Sequence, residues 1–218
     1  MGVRGPDAED FLQRMLSNDV TAAPCDALLL TPKGRIIAPL RVVRRADGDF
    51  LLLTEPGLGE TVRESLLRAR FAAKCDIEPE SHTSVLVWDG DFAAAEERLD
   101  EDLAPTASAA ELERARIEAG VPAWGKELDE GILPAEAGLD ATHISFTKGC
   151  YPGQEPVARL HYRGHANRGL RVLRAEAHPG AEIQYDGKVV GRVTSAAPGV
   201  ALAYVRAAVP ADAALEIG

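Results

Sequence analysis

Only three cysteines occur in the 218 residues, Cys25, Cys75 and Cys150, and no two of them share a CxxC spacing. An odd and scattered set excludes a disulfide scaffold and a zinc ribbon, and it leaves a reduced chain with two packed thiols and one to explain. No apolar run approaches the ~20 residues that a membrane-spanning helix needs. Residues 1–7 hold no apolar h-region, so a secretory signal is not expected and a cytoplasmic location is. Neither Pro6 nor Asp7 supplies the hydroxyl that a myristoylation motif at Gly2 would need. Cations are also short: 24 Lys and Arg stand against 34 Asp and Glu, a formal net charge of −10. Such a mean field repels phosphate backbones and disfavours broad nucleic-acid binding, although a local basic patch can overrule it.

Apolar residues at 46% and charged residues at 27% lie near the globular average, which excludes wholesale disorder. A chain of this length buries roughly 70% of its unfolded surface and needs no staple. Asp7 is a candidate N-cap, followed by the helical stripe Phe11, Leu12, Met15 and Leu16. The runs 27–30 and 35–38 flank Thr31-Pro32-Lys33-Gly34 and read as a hairpin. A second turn, Asp47-Gly48-Asp49, leads into Phe50–Leu53, and a helix is expected over Gly59–Arg70, with Val62, Leu66 and Leu67 on one face. Short strands are expected near 73–77 and 84–88. The Ala/Glu/Leu-rich segment from Asp91 to Ala119 reads as two helices broken at Pro105, the second opening on a Ser108/Glu111 capping box. The pattern is α+β, an antiparallel sheet with helices on one side.

After Gly164 the runs shorten. Segments 170–173, 182–185, 189–193 and 201–205 alternate and are punctuated by Gly and Pro, which suggests a small sheet or barrel. Asp186-Gly187 is a hairpin turn. The change of character places a domain boundary near 145–165, giving bodies at 1–145 and 146–218.

The chemistry concentrates in Lys148-Gly149-Cys150-Tyr151-Pro152-Gly153-Gln154-Glu155. A thiol acts as nucleophile or metal ligand only as thiolate, and a nearby ammonium and a helix N-terminus both favour that anion. Gly149 and Gly153 permit a sharp turn, and Pro152 sets the approach to a helix beginning near Gln154. On these grounds alone the functional reading is modest, because a free cysteine is more often an inert, buried thiol.

The string 148–155 resembles the signature of the YgfZ family, which shares its fold with the glycine-cleavage T-protein. Residues 7–13 with Ser17-Asn18-Asp19-Val20, Pro32–Arg35, Arg116–Pro122, Gly125–Leu128, Leu133–Leu139 and Gly187–Ser195 are similar to further family segments, in chain order. The resemblance implies an α+β folate-binding body followed by a small C-terminal β-barrel. It also implies a tetrahydrofolate or related reduced folate as cofactor, iron–sulfur client or assembly proteins as partners, and support of iron–sulfur enzyme assembly or repair through a reactive cysteine. It gives Cys150 and Lys148 the chemistry. Glu118 would recognise the pterin, with Asn18, Asp19, Tyr151, Gln154, Glu155 and Arg159 as further folate contacts. Glu118 could instead be a plain ion-pair partner of Arg114 or Lys126, and Asn18 and Asp19 could simply end a helix.

The sequence departs from the T-protein at two points. It has Ile36-Ile37-Ala38-Pro39-Leu40-Arg41, without a carboxylate, where that protein has its catalytic aspartate, and Cys150 where it has another aspartate. Both argue against aminomethyl transfer, which remains the alternative; a non-catalytic binding module is the other. His161 and His165 would share a helix face but lack a third ligand, so an exposed basic loop with Arg163 and Arg168 is expected and no metal site is. Arg159, Arg163 and Arg168 could meet carboxylates of a folate tail or an acidic partner.

Overall fold

The expected hairpin forms. In the computed structural model, which describes residues 1–218, five strands make one antiparallel sheet: β1 (Gly2–Arg4), β2 (Cys25–Leu30), β3 (Ile36–Ala46), β4 (Asp49–Thr54) and β5 (Asp76–Glu78). Their order is β2-β3-β4-β1-β5. Along β3, Ile36, Ala38, Leu40 and Val42 are buried and alternate with half-buried neighbours, the period of a strand with one face in a core. Helices α1 (Ala8–Met15) and α2 (Gly59–Arg70) pack against this sheet through Phe11, Leu12, Val62 and Leu66, with α2 spanning the expected residues. Met15 and Leu67 are only half-buried.

Two local expectations fail. Asp7 stands at the N-cap of α1 but makes no side-chain cap; its carboxylate instead accepts from the Lys74 amide at 2.8 Å. The first of the two helices expected in 91–119 is absent. Its residues form a short 3-10 turn, Phe92–Ala94, and then strand β7 (Glu96–Leu99), which pairs antiparallel with β6 (Ser84–Val87). Cross-strand pairing has overridden a helical composition, as tertiary context commonly does. The second helix, α3 (Ala109–Glu118), carries the full Ser108/Glu111 capping box.

After helix α4 (Gln154–Arg163) come strands β8 (Arg168–Leu173), β9 (Glu182–Tyr185), β10 (Lys188–Ala197), β11 (Val200–Arg206) and β12 (Glu216–Ile217). They form a second antiparallel sheet, ordered β12-β9-β10-β11-β8. This sheet stands where the C-terminal barrel is expected, with β12 and β8 as its edges. Asp186 and Gly187 both take positive φ, 51° and 70°, the mirror-image turn that matches strand twist. Strand β11 is buried on both faces. Ala201, Ala203 and Val205 join one cluster with Ile183 and Val193, while Val200 and Leu202 pack against Ile117 of α3.

That last contact governs how the chain is divided. Two compact units form, one from residues 1–81 and 129–165, the other from 82–128 and 166–218. This differs from the single division at 145/146 read from the sequence. Residues 82–128 belong with the C-terminal strands, because α3 buries Ile117 on the second sheet.

Candidate functional site

In the first unit, the segment around Cys150 is built by two glycines that interlock. Gly153 precedes α4 at φ +83°, and a Cβ there would come within 2.5 Å of the Thr31 carbonyl oxygen and 3.0 Å of Gly34 Cα. Gly34, at φ +74°, closes the β2–β3 hairpin, and its own Cβ would press on Pro156 and Val157 at 3.1–3.2 Å. Both positions need glycine for its left-handed backbone as well as for its missing side chain. The turn at Thr31–Gly34 and the Cys150 segment, far apart in the sequence, therefore meet at van der Waals range.

Cys150 is exposed, while Cys75 is buried and Cys25 half-buried, so Cys150 is not a packed thiol. Lys148 is turned inward. Its Nζ donates to the carbonyl oxygens of Leu16 at 2.7 Å and Asn18 at 2.8 Å and lies 5.5 Å from the centre of the Tyr151 ring. Burial lowers its pKa to about 8, outweighing the opposing pull of Asp19. Both of these hydrogen bonds go to main-chain carbonyls. Lys148 clamps the segment to the residues that follow α1.

Those residues are themselves fixed. Asn18 Nδ2 donates to the carbonyls of Asp26 (2.7 Å) and Thr142 (3.1 Å). Asp19 Oδ1 accepts from Gln13 Nε2, from the Thr21 amide and from the Thr21 hydroxyl at 2.6–3.0 Å, and these bonds hold its carboxyl below the usual range, the Thr21 hydroxyl foremost. Buried Ser17 donates to the His143 carbonyl at 2.6 Å and accepts from the Leu28 amide at 2.8 Å. Asn18 and Asp19 are thus brought to the cysteine segment through Lys148, as structural ties. Burial raises the Cys25 and Cys75 thiols, making both poorer sources of thiolate.

Tyr151 is 6% exposed, and its hydroxyl is buried without a hydrogen-bond partner; burial pushes its pKa up to about 12. On α4, Glu155 pairs with Arg159 at 2.8 Å on the exposed surface, and Gln154 is half-buried in the first turn. His161 stacks on Phe146, with centroids 3.8 Å apart, and lies 3.7 Å from Asp140. The helix ends at Arg163, so His165 falls beyond it and cannot share its face.

Glu118 lies in the second unit. Its Oε1 meets Arg114 at 2.9 Å and Arg174 at 3.4 Å, so Arg114 is its ion-pair partner; Lys126 pairs with Glu113 instead. The fully buried carboxylate nearby is Glu127, which sequence reasoning does not single out. Its oxygens accept from Arg116 (2.8 Å), Ser195 (2.6 Å) and the Ala123 amide (3.0 Å), and Tyr204 donates to its main-chain carbonyl. The signal for it lay in the sequence as Arg116 and Ser195 in two other family-like segments, but pairing them requires the fold.

With this geometry in hand, comparison with known proteins is decisive. The tRNA-modifying protein YgfZ of Klebsiella pneumoniae is 30% identical, with 80% of this chain and 68% of that protein covered. The chain belongs to the YgfZ family. The YgfZ protein of Edwardsiella ictaluri is 29% identical, with 81% of this chain and 69% of that one covered. No family model matches the chain. Among solved structures, the glycine cleavage system aminomethyltransferase T of Bartonella henselae superposes with a TM-score of 0.81 at 18% identity, over 95% of this chain and 75% of that one. This YgfZ-family chain therefore has the T-protein fold, and its cysteine segment lies on the exposed loop that leads into α4.

Proposed function

We propose that this YgfZ-family protein binds a reduced folate and supports assembly or repair of iron–sulfur enzymes through Cys150, acting as thiolate nucleophile or transient ligand. The observation that carries the reading is the exposed sulfur of Cys150 on a backbone fixed by Gly153 and the Lys148 clamp. Exposure gives a client access, and the fixed backbone keeps the sulfur in place at no cost when the client arrives.

The free oxygen of the Glu118 carboxylate supports a folate ligand. Both ion pairs of Glu118 go to Oε1, so Oε2 is left to accept the paired N–H donors of a pterin edge. A reduced folate, when bound, supplies a one-carbon carrier; the protein residues bind and orient it. Aminomethyl transfer is disfavoured, since Pro39 lies mid-strand in β3 where the T-protein resemblance calls for a carboxylate. The YgfZ relatives are named as tRNA-modifying proteins, which fits an iron–sulfur client that does that chemistry.

Three measurements test this. A Cys150→Ser variant folds normally but fails to complement a cluster-deficient strain; full complementation refutes the role of the thiol. Under native conditions Cys150 is alkylated about tenfold faster or more than Cys25 and Cys75, whose thiols burial disfavours as thiolates; equal rates mean that Cys150 has no special reactivity. Calorimetry shows tetrahydrofolate binding to the wild type and weaker binding to Glu118→Ala, and absence of heat with the wild type removes folate from the reading.

A further inference from the structure

A cavity of about 360 Å³ opens in the first unit, between the turn after β1 and the loop joining α2 to β5. Its walls include Arg4, Gly5, Arg70, Phe71, Lys74 and Asp76. The loop is held at several points. The Asp7 carboxylate accepts from the Lys74 amide, the Ala73 amide donates to the Arg70 carbonyl at 2.9 Å, and Arg70 Nη1 donates to the Cys75 carbonyl at 3.1 Å. Gly5 approaches so closely that a Cβ would come within 2.3 Å of the Lys74 carbonyl oxygen.

Within this fixed loop, Phe71 takes φ 45° and ψ −116°, a backbone that suits glycine, and its side chain is 91% exposed. The backbone at Phe71 ends α2, but the fold buries almost none of the ring. Strained backbone that persists because its surroundings over-determine it clusters at ligand sites. The charges around the ring point the same way. Arg4 is committed to Asp49 at 3.4 Å and to Glu80. The Lys74 ammonium and the Asp76 carboxylate make no ion pair or hydrogen bond in the chain, and Arg70 meets no carboxylate. The cavity thus offers an exposed aromatic ring, two cations without a carboxylate partner and one free carboxylate.

We infer that this cavity binds a nucleoside 5′-phosphate, with the base against Phe71, the phosphate between Arg70 and Lys74, and a ribose hydroxyl on Asp76. Aromatic side chains accept any base by stacking. Guanidinium and ammonium groups recognise phosphate. The volume lies within the roughly 300–1,000 Å³ of small-molecule sites. A bare phosphate would leave the ring unused, and an uncharged aromatic would leave the cations unused. The same chemistry is presented by a free mononucleotide and by the 5′-phosphorylated end of an RNA. The inference is independent of Cys150 and of folate.

The test is titration of the full chain, followed by amide NMR, with AMP, inorganic phosphate, adenosine and a short 5′-phosphorylated oligoribonucleotide. AMP or the oligonucleotide should shift the amides of residues 70–76 and bind more tightly than phosphate or adenosine. Binding of both marks a free nucleotide site, and binding of the oligonucleotide alone marks an RNA end. Phe71→Gly, which the local backbone accepts, and Lys74→Glu should each weaken binding about tenfold. If none of the probes shifts these amides, or if both variants bind as the wild type does, the inference is overturned.

Discussion

Replacing Gly153 with alanine tests the architecture beneath the cysteine segment most directly. A Cβ at this position would lie 2.5 Å from a main-chain oxygen, that of Thr31, and 3.0 Å from Gly34 Cα, neither of which is the yielding end of a flexible side chain. Overpacking of this kind costs about 1–3 kcal/mol. The left-handed backbone, φ +83°, adds about 1–2 kcal/mol for a residue with a Cβ. The lower entropy of the unfolded alanine chain returns about 0.4–1 kcal/mol. The sum is a loss of about 3 kcal/mol, concentrated where the hairpin turn meets α4. Gly149, earlier in the same segment, has nothing within 4 Å of where a methyl group would stand, and its alanine variant should change stability by no more than about 0.5 kcal/mol. Urea unfolding of the two variants gives the comparison, with amide exchange in residues 146–157 as a local readout. Equal stability of Gly153→Ala and Gly149→Ala would refute the interlock.

Two further predictions concern buried charge. Glu127→Ala leaves Arg116 without its buried partner and should cost about 3–5 kcal/mol in urea unfolding; a double variant with Arg116→Met should cost less than the single one. Lys148 has a folded-state pKa of about 8 against an ordinary 10.5, so between those values the unfolded chain holds a proton that the folded chain has released. Stability should therefore rise with pH across that window, and Lys148→Met should flatten the rise; an unchanged slope in the variant would show that another group titrates there.

Much of the fold was legible because local chemistry and tertiary packing agree. Asp186-Gly187 specifies a turn that needs positive φ twice, and Ser108 with Glu111 marks a helix start that no distant contact disturbs. Glu96–Leu99 was not legible as a strand, because its composition favours a helix and only the partner β6 decides otherwise. At the site, residue types pointed to Cys150, but not to the direction of Lys148, whose two carbonyl acceptors follow α1 more than a hundred residues earlier. Glu118 and Glu127 are alike as letters. Their difference lies in what covers them, and the cover for Glu127 includes Ser195, far along the chain.

The alternation of segments between the two units has a bearing on synthesis. The first unit needs residues 129–165, so a ribosome must release all of these before that unit can close, with 82–128 already made and still lacking their own strands. Helix α3 would then wait, with Ile117 only partly covered by Leu170, Val172 and Ala197, until Val200 and Leu202 of β11 emerge. A stop codon at any point between 129 and 167 would therefore strand that helix without the surface on which it rests, and one between 168 and 199 would still leave it without Val200 and Leu202.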